Sequence, residues 1–251
     1  MMVLSQQDPR SVFGPQSITQ LDSNITYLKE GFIFSSKAFL KNIQLMFGVM
    51  GNEFTLYLDG TYKITNEGWV LLVLGTHSVT IGQRVTHSLR PFMCCWTYSE
   101  NAVAVTALLK YLKRTALQIV GLHIAVVSID HCEAFYNAIT DDGTNDTMVV
   151  DCYAHMIRNI RDNNGNRLKK VNIPAILAEL DILCRSPSPE AFNVLMTLAL
   201  ARWENDLQEL EFVTYFRTYY LGKWANWFIS ATPFHELGVT TNSVESFNRH
   251  C

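Results

Sequence analysis

The sequence predicts an α/β protein built on a mixed sheet, with helices on the faces of the sheet and an all-helical segment later in the chain. Three observations lead to this fold class. Residues 54–99 contain three runs with the apolar patterns of strands, residues 100–163 alternate between helical and strand patterns, and residues 171–239 contain helical patterns only. Antiparallel strands followed by alternating α and β units favour a mixed sheet covered by helices.

The composition agrees with a folded globular protein. The 251 residues are 48% hydrophobic and 17% charged, enough to bury one large core or two modest ones. A net charge of −3 gives no global reason to bind nucleic acid, so such binding must rest on a local patch. No apolar stretch reaches the length of a membrane span, and no secretory signal is visible. The six cysteines have irregular spacing, which favours reduced thiols over a disulfide framework.

The predicted elements follow the order β-β-β-α-β-α-β-α, after a polar, turn-rich stretch (1–35) and an amphipathic helix (36–49). The strands and helices of this order are FTLYLDGTYKIT, GWVLLVLGTHS, PFMCCWTYS, ENAVAVTALLKYLKRTAL, HIAVVSID, HCEAFYNAI, TMVVDCY and AHMIRNIRDN. We divide the chain into four parts: a segment with one helix at 1–50, a core at 51–170, a helical insertion at 171–239 and a short helix at 240–251.

Asp59 can be interpreted in two ways. Asp59-Gly60, flanked by alternating apolar and polar residues, is typical of a two-residue hairpin turn. The same residues can also run straight through one long strand, which makes Asp59 a candidate metal ligand. Because Asn66-Glu67-Gly68 already supplies a turn to the next run, we predict the long strand.

A second acidic residue, Asp130, ends the apolar run HIAVVSID at the carboxyl end of a predicted strand, where ligands of α/β sheets gather. If the strands of Asp59 and Asp130 are neighbours, the two carboxylates repel each other unless they share a proton or a divalent cation. Oxygen ligands favour Mg²⁺ or Mn²⁺, and a pair of such ions can drive displacement at a phosphodiester. Glu245, in a helix-like segment, is the candidate third carboxylate.

These residues resemble the transposase domain of Mutator-like elements. The matching stretches, in the family's order over roughly residues 54–251, are LDGTYKIT, VSIDHCEAFYNAI, CYAHMIRNI, KWANWF and GVTTNSVESFN. The resemblance implies a ribonuclease H-like core at 51–170, interrupted by the helical insertion. It implies that Asp59, Asp130 and Glu245 form a catalytic triad holding two Mg²⁺ (or Mn²⁺) ions. It also makes Cys152 and His155 the family's Cys-x-x-His pair.

The function implied by this resemblance is metal-dependent hydrolysis and strand transfer at transposon ends. DNA is then the partner and the nucleus the location, with no membrane association and with homo-oligomerisation left open. The rivals are a non-catalytic, transposase-derived DNA-associated or scaffold protein and a nuclease that cuts without joining. Glu245 is followed by six residues, so we expect its helix to have little packing, and the fold can be present in a truncated or inactive copy.

Several of these residues also have purely structural interpretations. Asp130 can cap a helix with Glu133 as its box partner, and Asn242 can cap the helix of Glu245. Cys152 and His155 lack the further ligands of a structural zinc site, so we expect them to pack and hydrogen-bond at a strand-to-helix junction. A basic cluster is a candidate DNA contact or a solvated surface. It consists of Arg158, Arg161, Arg167, Lys169 and Lys170.

Overall fold

The structure is a computed structural model, and it describes residues 23–28, 31–50, 53–61, 68–81, 85–99, 101–114, 123–141, 147–162 and 167–232. The predicted fold class is confirmed in its general form, because a mixed sheet is combined with helices. The strands are β1 (Ser23–Leu28), β2 (Gly31–Ser36), β3 (Glu53–Thr61), β4 (Val70–Ile81), β5 (Val85–Thr97), β6 (His123–Ile129) and β7 (Met148–Asp151).

The helices of the described residues are α1 (Lys37–Met50), α2 (Ala102–Leu112), α3 (Glu133–Asp141), α4 (Tyr153–Asp162), α5 (Ile173–Cys184), α6 (Pro189–Asn205) and α7 (Leu210–Thr218). A π-helical turn (Tyr219–Lys223) and a 3₁₀ turn (Ile229–Ala231) follow. From β3 to α4 the elements follow the predicted order β-β-β-α-β-α-β-α. In the part of the chain that the structure describes, no helix has the length and apolar character needed to cross a membrane.

The seven strands form one sheet in the order β1-β2-β5-β4-β3-β6-β7. The pairs β1–β2, β2–β5, β5–β4 and β4–β3 are antiparallel, whereas β6 and β7 are parallel. The sheet is therefore mixed, and β3 and β6 are neighbours.

The sheet is larger than the sequence predicts. The polar stretch 1–35 contains β1 and all of β2 except its last residue, Ser36, and β5 begins at Val85, within a segment that the sequence pattern places between strands. Both corrections have one cause, because these residues have a weak pattern of their own and become strands by pairing: β1 pairs with β2, β2 with β5, and the start of β5 with β4. Gly31 is needed for this pairing, since a Cβ there would lie 2.0 Å from the carbonyl oxygen of Trp96.

The described residues within 23–125 and 133–147 form one compact unit. The central strands bury side chains on both faces, which explains the continuous apolar run of β4. One face carries a cluster of Tyr57, Leu71, Val73, Leu89 and Cys94. Helix α2 begins at the cap residue Asn101, whose side chain accepts a hydrogen bond from the backbone N–H of Ala104 at 2.8 Å.

The described residues within 126–132 and 148–232 form a second compact unit, in which β7 and α4 are grouped with the helical segment. Every regular element between 171 and 232 is helical. Its core contains Trp203, Trp224 and Trp227, each exposed by 1% or less, as expected for anchors of this segment. The indole N–H of Trp203 donates to Glu179 at 2.5 Å, and that of Trp227 donates to the Tyr220 carbonyl at 3.0 Å.

Candidate metal centre

Asp59 lies in the body of a strand. Strand β3 is continuous from Glu53 to Thr61, and Asp59 pairs with Val73 on β4. The prediction of a long strand is confirmed, and the hairpin turn at Asp59-Gly60 is wrong. Strand geometry places Asp59 on the same face as Tyr57, two residues earlier. Its side chain is buried, with 4% of the residue exposed.

Asp130 follows the last residue of β6, as predicted. Helix α3 begins at Glu133, three residues after Asp130. Because β3 and β6 are neighbours in the sheet, the condition for the two carboxylates to converge is met.

His155 joins these two carboxylates. One side-chain donor atom from each of Asp59, Asp130 and His155 lies within 4.8 Å of the other two. We refer to these three residues as the Asp-Asp-His group. His155 lies in the first turn of α4, which follows β7, the parallel neighbour of β6. The sequence predicted only packing for His155, although its position after a strand next to β6 was a signal that it could reach the same edge of the sheet.

Cys152, the other member of the Cys-x-x-His pair, lies at the strand-to-helix junction. It is fully buried, and its backbone N–H donates to the Ile129 carbonyl at 2.8 Å, which ties the start of α4 to the end of β6. The five described cysteines are free thiols. The pair is thus divided, because Cys152 belongs to the core and His155 to the Asp-Asp-His group.

The donors of the Asp-Asp-His group suit a divalent cation. Ligand atoms bound to one Mg²⁺ at about 2.0–2.1 Å lie at most about 4.2 Å apart. The three donor atoms lie within 4.8 Å of one another, which is close to this span. Carboxylate oxygens suit Mg²⁺ and Mn²⁺, and imidazole suits transition metals. The group can hold a metal ion whose identity these donors leave open. Glu245, the predicted third carboxylate, lies outside the described residues.

Next to Asp130, His131 is held in an aromatic setting. Its ring lies 5.3 Å from the ring of Tyr220 and 5.5 Å from that of Trp224, edge-on to both. Neither ring nitrogen has a hydrogen-bond partner among the described residues. The pKa of His131 is lowered to about 3, mainly by burial and to a smaller extent by the nearby His155. A neutral imidazole therefore adjoins Asp130, and it adds no positive charge beside the carboxylates.

Asp151 is a buried acidic residue that the sequence pattern did not single out. It ends β7, in register with Ile129 of β6, and is 2% exposed. Burial raises the pKa of Asp151 to about 7, although its carboxylate accepts a hydrogen bond from the backbone N–H of Asn226 at 3.0 Å. At pH values below about 7 this carboxyl is protonated, so it is a poor metal ligand there.

The members of the basic cluster have different surroundings. Arg158 and Arg161 lie on α4. The Arg167 guanidinium lies over the ring of Tyr215, 4.8 Å from its centre, and the Lys169 ammonium donates to the Gln208 carbonyl at 3.2 Å. Lys170 is exposed. DNA contact by this cluster stays a prediction.

Comparison with known proteins gives no family assignment. No protein-family model matches the sequence, and no curated protein matches it either. The likeness to Mutator-like transposases therefore rests on the ordered motifs of the sequence alone.

Proposed function

We propose that this chain is the catalytic domain of a DNA transposase similar to those of Mutator-like elements. The observation that carries the proposal is the Asp-Asp-His group, in which Asp59 on β3 and Asp130 directly after the neighbouring strand β6 place donor atoms within 4.8 Å of each other and of His155. The two carboxylates of the group are also the first two members of the triad that the family resemblance implies.

The arrangement of elements supports a ribonuclease H-like fold for this domain. Three antiparallel strands, β3 to β5, are followed by α2, β6, α3, β7 and α4 in the order that such domains follow. The helical segment after residue 170 is consistent with the insertion that the resemblance implies.

In this proposal Asp59 and Asp130 hold Mg²⁺ or Mn²⁺, and His155 is a third protein donor. Bound divalent cations supply an activated water or hydroxyl and stabilise the oxygen that leaves the phosphodiester. The protein's contribution is to fix the donors on strands and on the first turn of a helix, so that little reorganisation is needed during the reaction. Glu245 remains the proposed third acid of the triad.

A DNA cleavage assay with Mg²⁺ or Mn²⁺ tests this function. We expect the wild-type chain to nick a labelled plasmid, and Asp59→Asn and Asp130→Asn each to lose that activity. Asp206→Asn is the matched control, because Asp206 is an exposed aspartate at the end of α6. Joined products with a second plasmid would distinguish a transposase from a nuclease that only cuts. Wild-type protein that binds DNA but never cleaves it would contradict the proposal and favour a non-catalytic, transposase-derived protein.

A further inference from the structure

Helices α4 and α5 border an open groove of about 460 Å³. The residues that line it include Tyr153, Ile157, Arg158, Arg161, Leu177 and Asp181. Both helices belong to the second compact unit. The groove thus combines two cationic side chains with an aromatic ring and an apolar wall.

The guanidinium groups of this groove can bind an anionic ligand. Arg161 pairs with Asp162 at 2.8 Å, but the two side chains are 56% and 46% exposed. Such exposed pairs contribute little, so a phosphate can compete with Asp162 for the guanidinium. On the opposite helix, the carboxylate of Asp181 accepts hydrogen bonds from Arg185 at 3.0 and 3.1 Å. This pair is also exposed, so Asp181 keeps a negative charge beside the groove that an anionic ligand has to overcome.

The other three basic residues of the cluster are not among the residues that line the groove. Arg167 lies over Tyr215, and Lys169 donates to a backbone carbonyl. Of the five basic residues, Arg158 and Arg161 are the two that line the groove. The cluster therefore has two residues in the groove and three outside it, and substitutions in each set can be compared.

Helix α4 connects this groove to the Asp-Asp-His group. His155 lies in the first turn of α4, and Arg158 and Arg161 follow on the same helix. At about 1.5 Å per residue, they lie about 4.5 and 9 Å further along the helix axis than His155. At 3.6 residues per turn, they also lie about 60° and 120° around the helix from His155, so a nucleic acid strand with one phosphate at the group has to follow the surface of α4 to bring a neighbouring nucleotide to these side chains.

We propose that the groove between α4 and α5 binds one nucleotide segment of a DNA strand next to the phosphate that is cleaved. Arg158 and Arg161 contact its phosphates, and Tyr153 and Leu177 supply an apolar wall for its sugar and base. This inference rests on the proposed function, since it assigns the substrate contact of the same site. It also narrows the DNA contact to two of the five predicted basic residues.

Binding of fluorescently labelled single-stranded and duplex oligonucleotides, measured by anisotropy in EDTA, tests the groove without any metal. The double variant Arg158→Gln/Arg161→Gln should weaken binding at least about tenfold and reduce the slope of log K against log salt by about two. The control Arg167→Gln/Lys170→Gln removes the same charge and should change binding less than about threefold. Equal losses in both double variants would overturn the inference.

A second variant is expected to gain affinity, so a folding defect cannot imitate its effect. Asp181→Asn removes the acidic group of the groove and should tighten DNA binding severalfold, whereas Asp206→Asn makes the same charge change outside it. Equal effects of these two variants would contradict the groove. If the groove variants behave as expected but wild type never cleaves DNA, the groove stands and the proposed catalysis fails. If wild type cleaves DNA but the groove variants bind it unchanged, the catalysis stands and the groove fails.

Discussion

The helical segment and the Asp-Asp-His group differ in the chemistry of the side chains that they bury. In the helical segment, Trp203 and Trp227 are fully buried, and their indole N–H groups donate to Glu179 and to the Tyr220 carbonyl. In the Asp-Asp-His group, Asp59 is 4% exposed, and its carboxylate is grouped with the half-buried side chains of Asp130 and His155 as candidate metal donors.

The first set of residues stabilises the fold, and the second set lowers its stability. Burial of apolar surface stabilises a fold by about 25 cal/mol per Å², and this is sufficient reason for the tryptophans to be buried. Two carboxylates held close together disfavour folding unless a proton or a cation compensates their charge. Such an arrangement is typical of a functional site. Substitutions in the two regions should therefore have opposite effects on stability and activity.

The largest effect on stability is expected in the helical segment. Trp203→Ala should lower the free energy of unfolding by about 3–5 kcal/mol, because it leaves a cavity and removes a hydrogen-bond partner of Glu179. Urea unfolding followed by circular dichroism measures this. Leu198→Ala on the same helix is the control, since Leu198 is 62% exposed and its change should stay within about 0.5 kcal/mol. Similar losses in both variants would show that this core is not the source of stability.

A smaller, pH-dependent effect is expected at Asp151. Its folded-state pKa of about 7 lies above the ordinary value of 3.8, so its contribution to stability is complete below pH 3.8 and is lost as the pH rises through about 7. Wild type should therefore lose stability between pH 5 and pH 8. Asp151→Asn mimics the protonated acid at every pH, so the variant should lose less over this range, by on the order of 1–3 kcal/mol. Thermal melting of both proteins across this range checks the expectation. Parallel pH profiles for wild type and variant would contradict it.

The smallest effect on stability is expected at the Asp-Asp-His group. Asp59→Asn removes one of two neighbouring negative charges, so the metal-free protein should be as stable as wild type, within about 1 kcal/mol, or more stable. Denaturant unfolding in EDTA measures this. A loss as large as that of Trp203→Ala would show that Asp59 is a structural residue.

The sequence predicted two members of the site because their signals are local. Asp59 lies in a run long enough to remain one strand, and Asp130 ends an apolar run of strand length. His155 was not predicted as a donor, because a helical pattern shows where α4 begins and not which neighbouring strand its first turn faces.

Other features depend on contacts between distant residues. Burial raises the pKa of Asp151, and a hydrogen bond from the backbone of Asn226, 75 residues further along the chain, acts in the opposite direction. Strands β1 and β2 are short, and β2 pairs with β5, which begins more than 45 residues later in the sequence. The spacing of residues predicts neither the contact of Asp151 with Asn226 nor the pairing of β2 with β5. It does predict the order of strands and helices from β3 to α4, because that order follows apolar periodicity.

Metal binding by the full chain tests the central claim most directly. Titration of Mn²⁺ into metal-free protein, followed by isothermal calorimetry, should show saturable binding to wild type and to the control Asp206→Asn. Asp59→Asn, Asp130→Asn and His155→Ala should each lose at least about tenfold in affinity, since even changes outside the ligand shell cost about 10–100-fold. Absence of binding to wild type, or unchanged binding in all three variants, would contradict the metal centre.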